Sequence, residues 1–343
     1  MKQVNETQVV PTAGTPPPAQ KIIEDLSTSV WVFAALTSAL EVGLLEELTE
    51  TRSLDDLSTR SGISSPVVEG MLDVLVAIGL LSRVGESYSS APDLLPVLQK
   101  PATDALLADV RTTYLLTQQM IEAAKKRSLA PGWFYTDPEL LAAQGQGQGG
   151  APAVRLWTQH VFPRLDGLME RLQRPTATFL DVGTGVGEIA IQMCSLFPAL
   201  HVVALEPQEA PLAEARRNVA AARLRERIEL RAQRIEDLTE SEKFDLVWLP
   251  QMFLRREVLE RGLRTTWTAL RAGGWIVLLA VSAPGMNLDA AFWRLRNVLW
   301  GGDPLYPEQV AELLAEAAFA RVQVLPTAPG FVPKLIVGQR PEH

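Results

Sequence analysis

The chain has 343 residues, which is long enough for two domains with separate hydrophobic cores. Its 47% hydrophobic and 21% charged residues are typical of globular proteins and exclude a disordered or fibrous chain. The net charge of −8 argues against nucleic acid or an anionic membrane as the main partner. One cysteine, Cys194, excludes an internal disulfide, and we expect it to be buried and inert. No signal peptide or membrane-spanning stretch is visible, so we predict a cytoplasmic protein.

The first hundred residues contain a tail and a small helical domain. Residues 1–20 are rich in proline and threonine and are expected to form a disordered tail. Residues 21–100 begin with apolar side chains at helical spacing. Within them lies a short capped helix from Ser53, followed by a turn at Gly62. A second helix from Ser65 and two short strands around Gly85 come next. This order predicts a winged helix-turn-helix.

The charge of this small domain argues against DNA binding. Residues 1–100 hold six basic and thirteen acidic side chains, a balance of −7. The second helix of the pair carries Glu69 and Asp73 and no lysine or arginine, whereas a recognition helix needs cations for phosphate contacts. We therefore interpret the module as a dimerisation and substrate-lid domain.

Residues 101–172 are predicted to link this domain to the rest of the chain. A long helical pattern covers 102–126, and another helix is expected from Ala153 to Leu172. Between them, the glycine–glutamine run from Gly145 to Gly150 is expected to be a flexible loop or hinge rather than regular structure.

The most informative stretch, residues 179–190, reads Phe-Leu-Asp-Val-Gly-Thr-Gly-Val-Gly-Glu-Ile-Ala. A short apolar strand runs into glycines at 183, 185 and 187, and a helical pattern follows, as in turns that let a ligand approach the backbone. A second apolar run ends at Glu206, 25 residues after Asp181. In βαβ nucleoside sites, a carboxylate ~20 residues after the glycine motif binds the ribose hydroxyls, and Glu206 has a similar spacing. The pattern predicts a site for a nucleoside-containing cofactor.

Strands and helices alternate after this turn, which predicts a doubly wound parallel sheet with its ligand at the carboxyl ends of the strands. The last two strands are joined by Pro-Thr-Ala-Pro-Gly, a hairpin, so the final strand should be antiparallel. The predicted strands are Thr178–Val182, His201–Glu206, Ile228–Ala232, Phe244–Leu249, Trp275–Val281, Arg321–Pro326 and Leu335–Gln339. The predicted helices are 188–196, 210–222, 256–270 and 307–317.

On these residues the chain resembles the class I S-adenosylmethionine-dependent methyltransferases, in particular small-molecule O-methyltransferases with an N-terminal winged-helix dimerisation domain. The specific parts are Asp181-Val-Gly-Thr-Gly-Val-Gly187, Glu206, Phe244-Asp-Leu-Val247 and Leu270-Arg-Ala-Gly-Gly-Trp275. The resemblance implies an α/β fold: a Rossmann-like seven-stranded methyltransferase sheet with its last strand antiparallel, preceded by a mainly helical winged-helix domain. It also implies a homodimer formed through the N-terminal domain. Residues 173–343 would be the S-adenosylmethionine-binding catalytic domain.

The resemblance also assigns cofactor contacts. The three glycines would approach the methionine moiety, with Asp181 and Thr184 nearby, and Glu206 would accept hydrogen bonds from both ribose hydroxyls. An acid normally follows the third strand and meets the adenine amino group, but here its counterparts are Gln233, Arg234 and Ile235. The complete implied set is Asp181, Gly183, Thr184, Gly185, Gly187, Glu206, Pro207, Gln233, Arg234, Ile235 and Pro250.

Catalytic candidates are few, because the His that follows the fourth strand in plant-type members is absent from Leu249–Arg256. His160, on the helix before the glycine turn, is one candidate for a base, and a hydrogen-bonded surface histidine is the alternative. Arg255 could stabilise an anionic substrate or begin a solvated helix. No metal ligand set is predicted.

Acceptor candidates are Trp157, Phe253, Trp293, Arg296 and Trp300. The last three share one helix face at i, i+3 and i+7, a stripe that either a pocket or core packing explains. These side chains suit a small aromatic or apolar acceptor, such as a secondary metabolite. We predict that the acceptor is methylated mainly because the site holds it close to the methyl group. Oxygen is the favoured methylated atom, and nitrogen and carbon are alternatives. Two alternatives are a fold relative with altered chemistry (hydroxylation or decarboxylation) and a cofactor-sensing transcriptional regulator.

Overall fold

A computed structural model describes residues 18–100, 102–147, 150–327 and 332–342. Contacts divide the chain into two compact units, Met1–Thr103 and Asp104–His343. Most of the tail predicted at 1–20 lies outside the described residues. No helix among the described residues is both long and apolar enough to cross a membrane.

The first unit is mainly helical and carries a small three-stranded sheet. Its helices are α1 (Ala19–Glu41), α2 (Leu44–Glu47), α3 (Leu54–Ser61) and α4 (Ser65–Ala77). Its strands, in the order β1-β3-β2, are β1 (Arg52–Ser53), β2 (Leu81–Val84) and β3 (Ser87–Ser90). Ser53 caps α3 by accepting a hydrogen bond from the Asp56 N–H at 3.2 Å, and Gly62, with φ of +69°, ends that helix. The helix pair and the β2–β3 hairpin therefore follow in the predicted order.

The helices that precede the large sheet differ from the prediction. They are α5 (Ala102–Lys125), α6 (Pro138–Gln146), α7 (Ala151–Leu156) and α8 (Leu168–Leu172). The helix expected at 153–172 is interrupted by a π-helical turn at Trp157–Val161 and a 3-10 turn at Phe162–Arg164. Pro163 has no N–H to continue a helix, and Gly167 turns the chain with φ of +71°. Part of the loop expected at 145–150 is helical, because Gly145 and Gln146 complete α6; residues 148 and 149 are outside the described residues.

The second unit contains a seven-stranded sheet with the order β6-β5-β4-β7-β8-β10-β9. Its strands are β4 (Thr178–Val182), β5 (His201–Leu205), β6 (Ile228–Arg231), β7 (Phe244–Leu249), β8 (Leu270–Ala280), β9 (Ala320–Val324) and β10 (Lys334–Gln339). β10 pairs antiparallel with both β8 and β9, which confirms the predicted last strand. β8 begins five residues before the predicted Trp275, because Leu270 already pairs with Phe244 of β7.

Helices cover both faces of this sheet. They are α9 (Glu188–Leu196), α10 (Glu209–Ala221), α11 (Arg256–Ala269), α12 (Leu288–Leu299) and α13 (Pro307–Glu316). Alternate strand residues point to two apolar cores: Phe179 and Trp248 pack with α7–α9, whereas Leu180 and Val247 pack with α11 and α13. Every residue of β7 is consequently buried. The strand order reverses at β4, which opens the carboxyl edge there to a ligand.

Candidate functional site

The glycine turn leaves the carboxyl end of β4 in a conformation that side chains rarely adopt. Gly183, Gly185 and Gly187 have φ of 65°, 57° and 86°. A Cβ on Gly183 would lie 3.2 Å from the Pro250 ring, and one on Gly187 would lie 3.4 Å from Ala215. A Cβ on Gly185 would meet no atom within 4 Å. The turn therefore packs tightly at its two ends and is open in the middle.

Glu206 faces this opening from the end of β5. Its buried carboxylate accepts hydrogen bonds from the N–H of Gly185 at 3.1 Å and of Gln208 at 3.0 Å. The Glu206 N–H donates to Arg231 of β6, and the Thr184 N–H donates to Leu205, so the two loops are held together. Burial raises the pKa of Glu206. A carboxylate has about four acceptor positions, so two remain for a pair of ribose hydroxyls.

Asp181, the fourth residue of β4, is fully buried. One of its carboxylate oxygens accepts a hydrogen bond from the Thr184 hydroxyl at 2.6 Å; the Ala190 N–H interacts with the carboxylate, but the other oxygen accepts no well-formed hydrogen bond in the described structure. Burial, together with a smaller contribution from the charge of Glu206, raises the pKa of Asp181 to about 7. A buried acceptor without a donor calls for a bound ligand or water beside it.

Together these groups fit a nucleoside cofactor that carries a positive charge. Glu206 supplies hydroxyl acceptors, the open backbone at Gly185 allows close approach, and Asp181 supplies a second buried acid. No grouping of three His, Cys, Asp or Glu side chains that could hold a metal occurs among the described residues.

The predicted adenine residues follow β6 and differ in their surroundings. The Gln233 side chain is half-buried and donates to the Asp237 carbonyl at 2.8 Å, whereas Arg234 is exposed. The Ile235 side chain is buried in the core, where it approaches Gly262 of α11, so only its backbone is available to a ligand. Pro207 is exposed, and Pro250 is buried against Gly183.

Residues 132–135, here called the covering segment, lie beside Glu206. The Gln208 side-chain amide donates a hydrogen bond to the Trp133 carbonyl. The Gly132 N–H donates to the Leu299 carbonyl at 3.1 Å. A Cβ on Gly301 would be only 2.8 Å from the Gly132 Cα, so the two backbones can meet this closely only because residue 301 is glycine. The covering segment thus connects the loop after β5 to the end of α12.

An aromatic cluster continues from the covering segment along α12. The ring of Phe253 lies 5.5 Å from the ring of Trp133 and 5.5 Å from that of Trp300, and Trp293 lies 6.4 Å from Trp300. The Arg296 guanidinium lies 4.6 Å from the centre of the Trp300 ring. Four of the five predicted acceptor residues, all except Trp157, are therefore brought together.

A buried polar network, which the sequence analysis missed, fixes the neighbouring loops. Asn297 of α12 accepts a hydrogen bond from Ser282 at 2.9 Å and donates to the Met252 carbonyl at 2.9 Å. Gln251 donates to the Asp303 carbonyl at 3.0 Å, while its side-chain oxygen is buried without a partner in the described structure. The only sequence signal was a glutamine two residues after a strand that ends in four apolar residues, Leu246–Leu249.

Three predicted site residues are placed differently. Trp157 is buried in the core with its ring 4.5 Å from that of Trp248, so the interpretation of Trp157 as an acceptor wall is corrected to a packing role. His160 is on the adjacent π-helical turn with an exposed side chain. Arg255 is exposed at the residue before α11. Neither His160 nor Arg255 makes a hydrogen bond or ion pair through its side chain to another described residue of the site.

The chain is an α/β protein with a candidate nucleoside-cofactor site at the carboxyl edge of its sheet, and comparison with known proteins narrows this class. Residues 179–274 match the family model of the methyltransferase domain. The chain is 33% identical over 181 residues to a release factor glutamine methyltransferase of Cereibacter sphaeroides, covering 49% of this chain and 62% of the relative. It is 26% identical over 199 residues to the N,N-dimethyltransferase OxyT of Streptomyces rimosus, covering 55% and 57%. The chain thus spans about three fifths of the length of these curated relatives.

Solved structures resemble almost the whole chain. An O-methyltransferase family protein from Burkholderia thailandensis superposes with a TM-score of 0.66 at 17% identity, over 95% of this chain and 99% of that one. Human N-acetylserotonin methyltransferase in complex with S-adenosylmethionine gives 0.62 at 17% identity, over 96% and 100%. The chain therefore has the fold of these methyltransferases, and its residues 179–274 are similar in sequence to a methyltransferase domain.

Proposed function

We propose that this protein transfers the methyl group of S-adenosylmethionine to a small aromatic or apolar metabolite. The observation that carries the proposal is the pairing of the open backbone at Gly185 with the buried carboxylate of Glu206. Methylation of oxygen is favoured by the O-methyltransferase fold relative, and methylation of nitrogen or carbon remains compatible with the site.

The chain's own residues would contribute binding, orientation and exclusion of water. S-adenosylmethionine supplies an activated methyl group on a sulfonium, so little further activation of the acceptor is required. Glu206 would hold the ribose, and the Gly183–Gly187 backbone would let the methionine end approach closely. Trp133, Phe253 and Trp300 would align a flat acceptor and shield it from water. We assign no general base, because His160 is exposed.

A cofactor-sensing regulator is the less favoured function, because the cations of the first unit are already neutralised. Arg83 of β2 pairs with Glu69 and Asp73 of α4 at 2.7 and 2.8 Å. Arg52 and Arg60 likewise form ion pairs with neighbouring acids. Helix α4 is at the position of a recognition helix. Its acids pair with Arg83 of the hairpin, and it carries no cation that could contact a phosphate.

We infer a homodimer formed through the first unit. Residues 18–31 are all exposed, and this half of α1 carries five large apolar side chains: Ile22, Ile23, Leu26, Val30 and Trp31. A surface of this kind is typical of an interaction site. A second copy of α1 is the occupant we propose, as the family resemblance implies. The role in secondary metabolism and the cytoplasmic location stay predictions.

Methyl transfer can be tested with methyl-labelled S-adenosylmethionine and a panel of phenols, aromatic amines and enolisable ketones. We expect label in at least one acceptor with the wild-type chain and none with Glu206→Ala. Tight cofactor binding without label in any acceptor would instead favour the altered-chemistry alternative. The position of the label, read by NMR, distinguishes oxygen, nitrogen and carbon.

A further inference from the structure

The environment of Arg296 is unusual for a cation. Its guanidinium is half-buried and lies over three aromatic rings of its own helix and the residue after it: Trp300 at 4.6 Å, Trp293 at 5.0 Å and Phe292 at 5.3 Å. The ring faces stabilise the positive charge, but they do not accept the hydrogen bonds that its five N–H groups offer in the guanidinium plane. Among the described residues, the Arg296 side chain makes no hydrogen bond or ion pair; the charge of Asp109 acts on it from α5.

Arg296 is held rigidly at the acceptor side of the site. The next residue, Asn297, is completely buried and is hydrogen-bonded to Ser282 after β8 and to Met252 after β7. These two bonds fix the C-terminal half of α12 to the carboxyl edge of the sheet. The direction of the Arg296 side chain is then set by its packing on Trp293 and Trp300.

The same rings lead from Arg296 to the cofactor residues. Trp300 contacts Phe253, Phe253 contacts Trp133, and the Trp133 carbonyl is bound by Gln208, which itself donates to Glu206. A flat molecule lying against Phe253 and Trp300 would thus lie between the ribose acid and the guanidinium.

A rigid guanidinium with unused in-plane donors matches a carboxylate, because the two planar groups form parallel N–H···O bonds. Desolvation by the rings strengthens such a pair. A neutral acceptor would leave these donors unsatisfied.

We propose that Arg296 binds the carboxylate of a planar aromatic acceptor whose ring lies against Trp300 and Phe253. This inference rests on the methyl-transfer function proposed above and specifies its substrate class as aromatic acids. Arg296 would then select and orient the acceptor, while the methylated atom lies on the opposite side of the acceptor ring, toward Glu206.

The test compares three ligands that differ in the carboxylate: 3-hydroxy-2-naphthoic acid, its methyl ester and 2-naphthol. Binding to the full-length protein saturated with S-adenosylhomocysteine is measured by tryptophan fluorescence and calorimetry. We expect the acid to bind about tenfold or more tightly than the ester, since hydrogen bonds to charged groups contribute about 1.5–3 kcal/mol each. Arg296→Gln should remove this preference and leave the ester unchanged, and Arg296→Lys should keep only part of it, because it retains the charge without the planar fork.

Arg294→Gln is the matched control, because Arg294 is on the same helix but donates to the carbonyls of Ala283 and Gly285. It should keep the full preference for the acid. Equal binding of acid and ester to the wild type, binding of neither, or a preference that survives Arg296→Gln would overturn the proposal. Binding of S-adenosylhomocysteine is measured in the same samples, and its absence in the wild type would contradict the proposed function instead.

Discussion

Asp181 carries a proton in the folded protein over a pH range where the unfolded chain does not. Burial raises its pKa from the ordinary 3.8 to about 7. Between these values the folded state binds more protons than the unfolded state, so the free energy of unfolding contributed by Asp181 falls as pH rises from about 4 to about 7. Urea unfolding at several pH values should show this decrease, and Asp181→Asn should lack it. An unchanged pH profile in Asp181→Asn would contradict the buried acid.

A substitution at Gly185 should affect cofactor binding much more than folding. At φ of 57°, an alanine costs about 1 kcal/mol or slightly more from backbone strain, although its Cβ would meet no atom of the chain. Its methyl group would instead occupy the opening next to Glu206. We therefore expect Gly185→Ala to reduce cofactor affinity at least about tenfold while the protein remains folded.

The control for this substitution is Gly43→Ala, which has φ of 73° and equally open surroundings in the first unit. Both variants should show a similar small loss of thermal stability, and only Gly185→Ala should show weaker binding of S-adenosylhomocysteine in calorimetry. Equal affinities for the two variants would mean that the opening at Gly185 is not the cofactor site.

Residue roles could be predicted from sequence where a local motif fixes the backbone. The positions of Asp181 and Glu206 follow from the glycine turn and the end of the next strand, and both side chains are buried there. Gln251 and Asn297 could not be predicted, because their partners, Asp303 and Ser282, are joined to them only by the tertiary fold. Trp157 was misassigned because an aromatic residue on a helix does not reveal which side faces the core.

At the level of elements, we expect the amino ends of the strands to stabilise the folded sheet and the carboxyl ends to bind the cofactor. Asp245, near the start of β7, accepts hydrogen bonds from the Thr178 N–H of β4 and from Arg271 of β8, and Arg171 lies 3.8 Å away. Removing one partner of such a buried cluster leaves cations without an acid. We expect Asp245→Ala to lower the free energy of unfolding by about 3–5 kcal/mol, measured in urea.

The affinity of Asp245→Ala for S-adenosylhomocysteine should be unchanged at temperatures where the variant is folded, because Asp245 is at the edge of the sheet opposite Glu206. A large loss of affinity with little loss of stability would contradict this division between the two edges.

Element boundaries could be predicted where periodicity and end signals agree. Helix α9 covers the predicted residues 188–196, since Gly187 starts it and Phe197 leaves the helical conformation. The helix expected at 153–172 is broken, because Pro163 and Gly167 outweigh the apolar spacing around them. β8 extends back to Leu270, since Leu270 pairs with Phe244 of β7, and Gly273 and Gly274 exchange backbone hydrogen bonds with Arg340, the residue after β10.

At the scale of the whole molecule, the exposed half of α1 predicts a dimer. Trp31 is 77% exposed in the single chain and lies in the apolar stripe that begins at Ile22. Trp31→Glu should shift the protein from dimer to monomer in light scattering. Val84→Glu, a control at an equally exposed apolar residue of the first unit, should leave the dimer intact. A wild-type chain that is monomeric at micromolar concentration would contradict the inferred interface.

The architecture was the most predictable property of the chain, because strand–helix alternation and the terminal hairpin together fix a parallel sheet with one antiparallel strand. The acceptor side was less predictable. Trp133 and Trp300 are far apart in sequence, and the covering segment meets the end of α12 through the hydrogen bond from Gly132 to Leu299 and the close approach of Gly132 to Gly301.

Titration calorimetry with S-adenosylmethionine measures whether Glu206 and the glycine turn bind this cofactor. The wild type should bind with one site per chain. Glu206→Ala should bind roughly 100-fold more weakly, since two hydrogen bonds to a charged acceptor are lost. Glu312→Ala, which removes an exposed acid of α13, should bind like the wild type. Absence of binding by the wild type, or equal affinities for wild type and Glu206→Ala, would contradict the assignment of Glu206 and the glycine turn as the cofactor site.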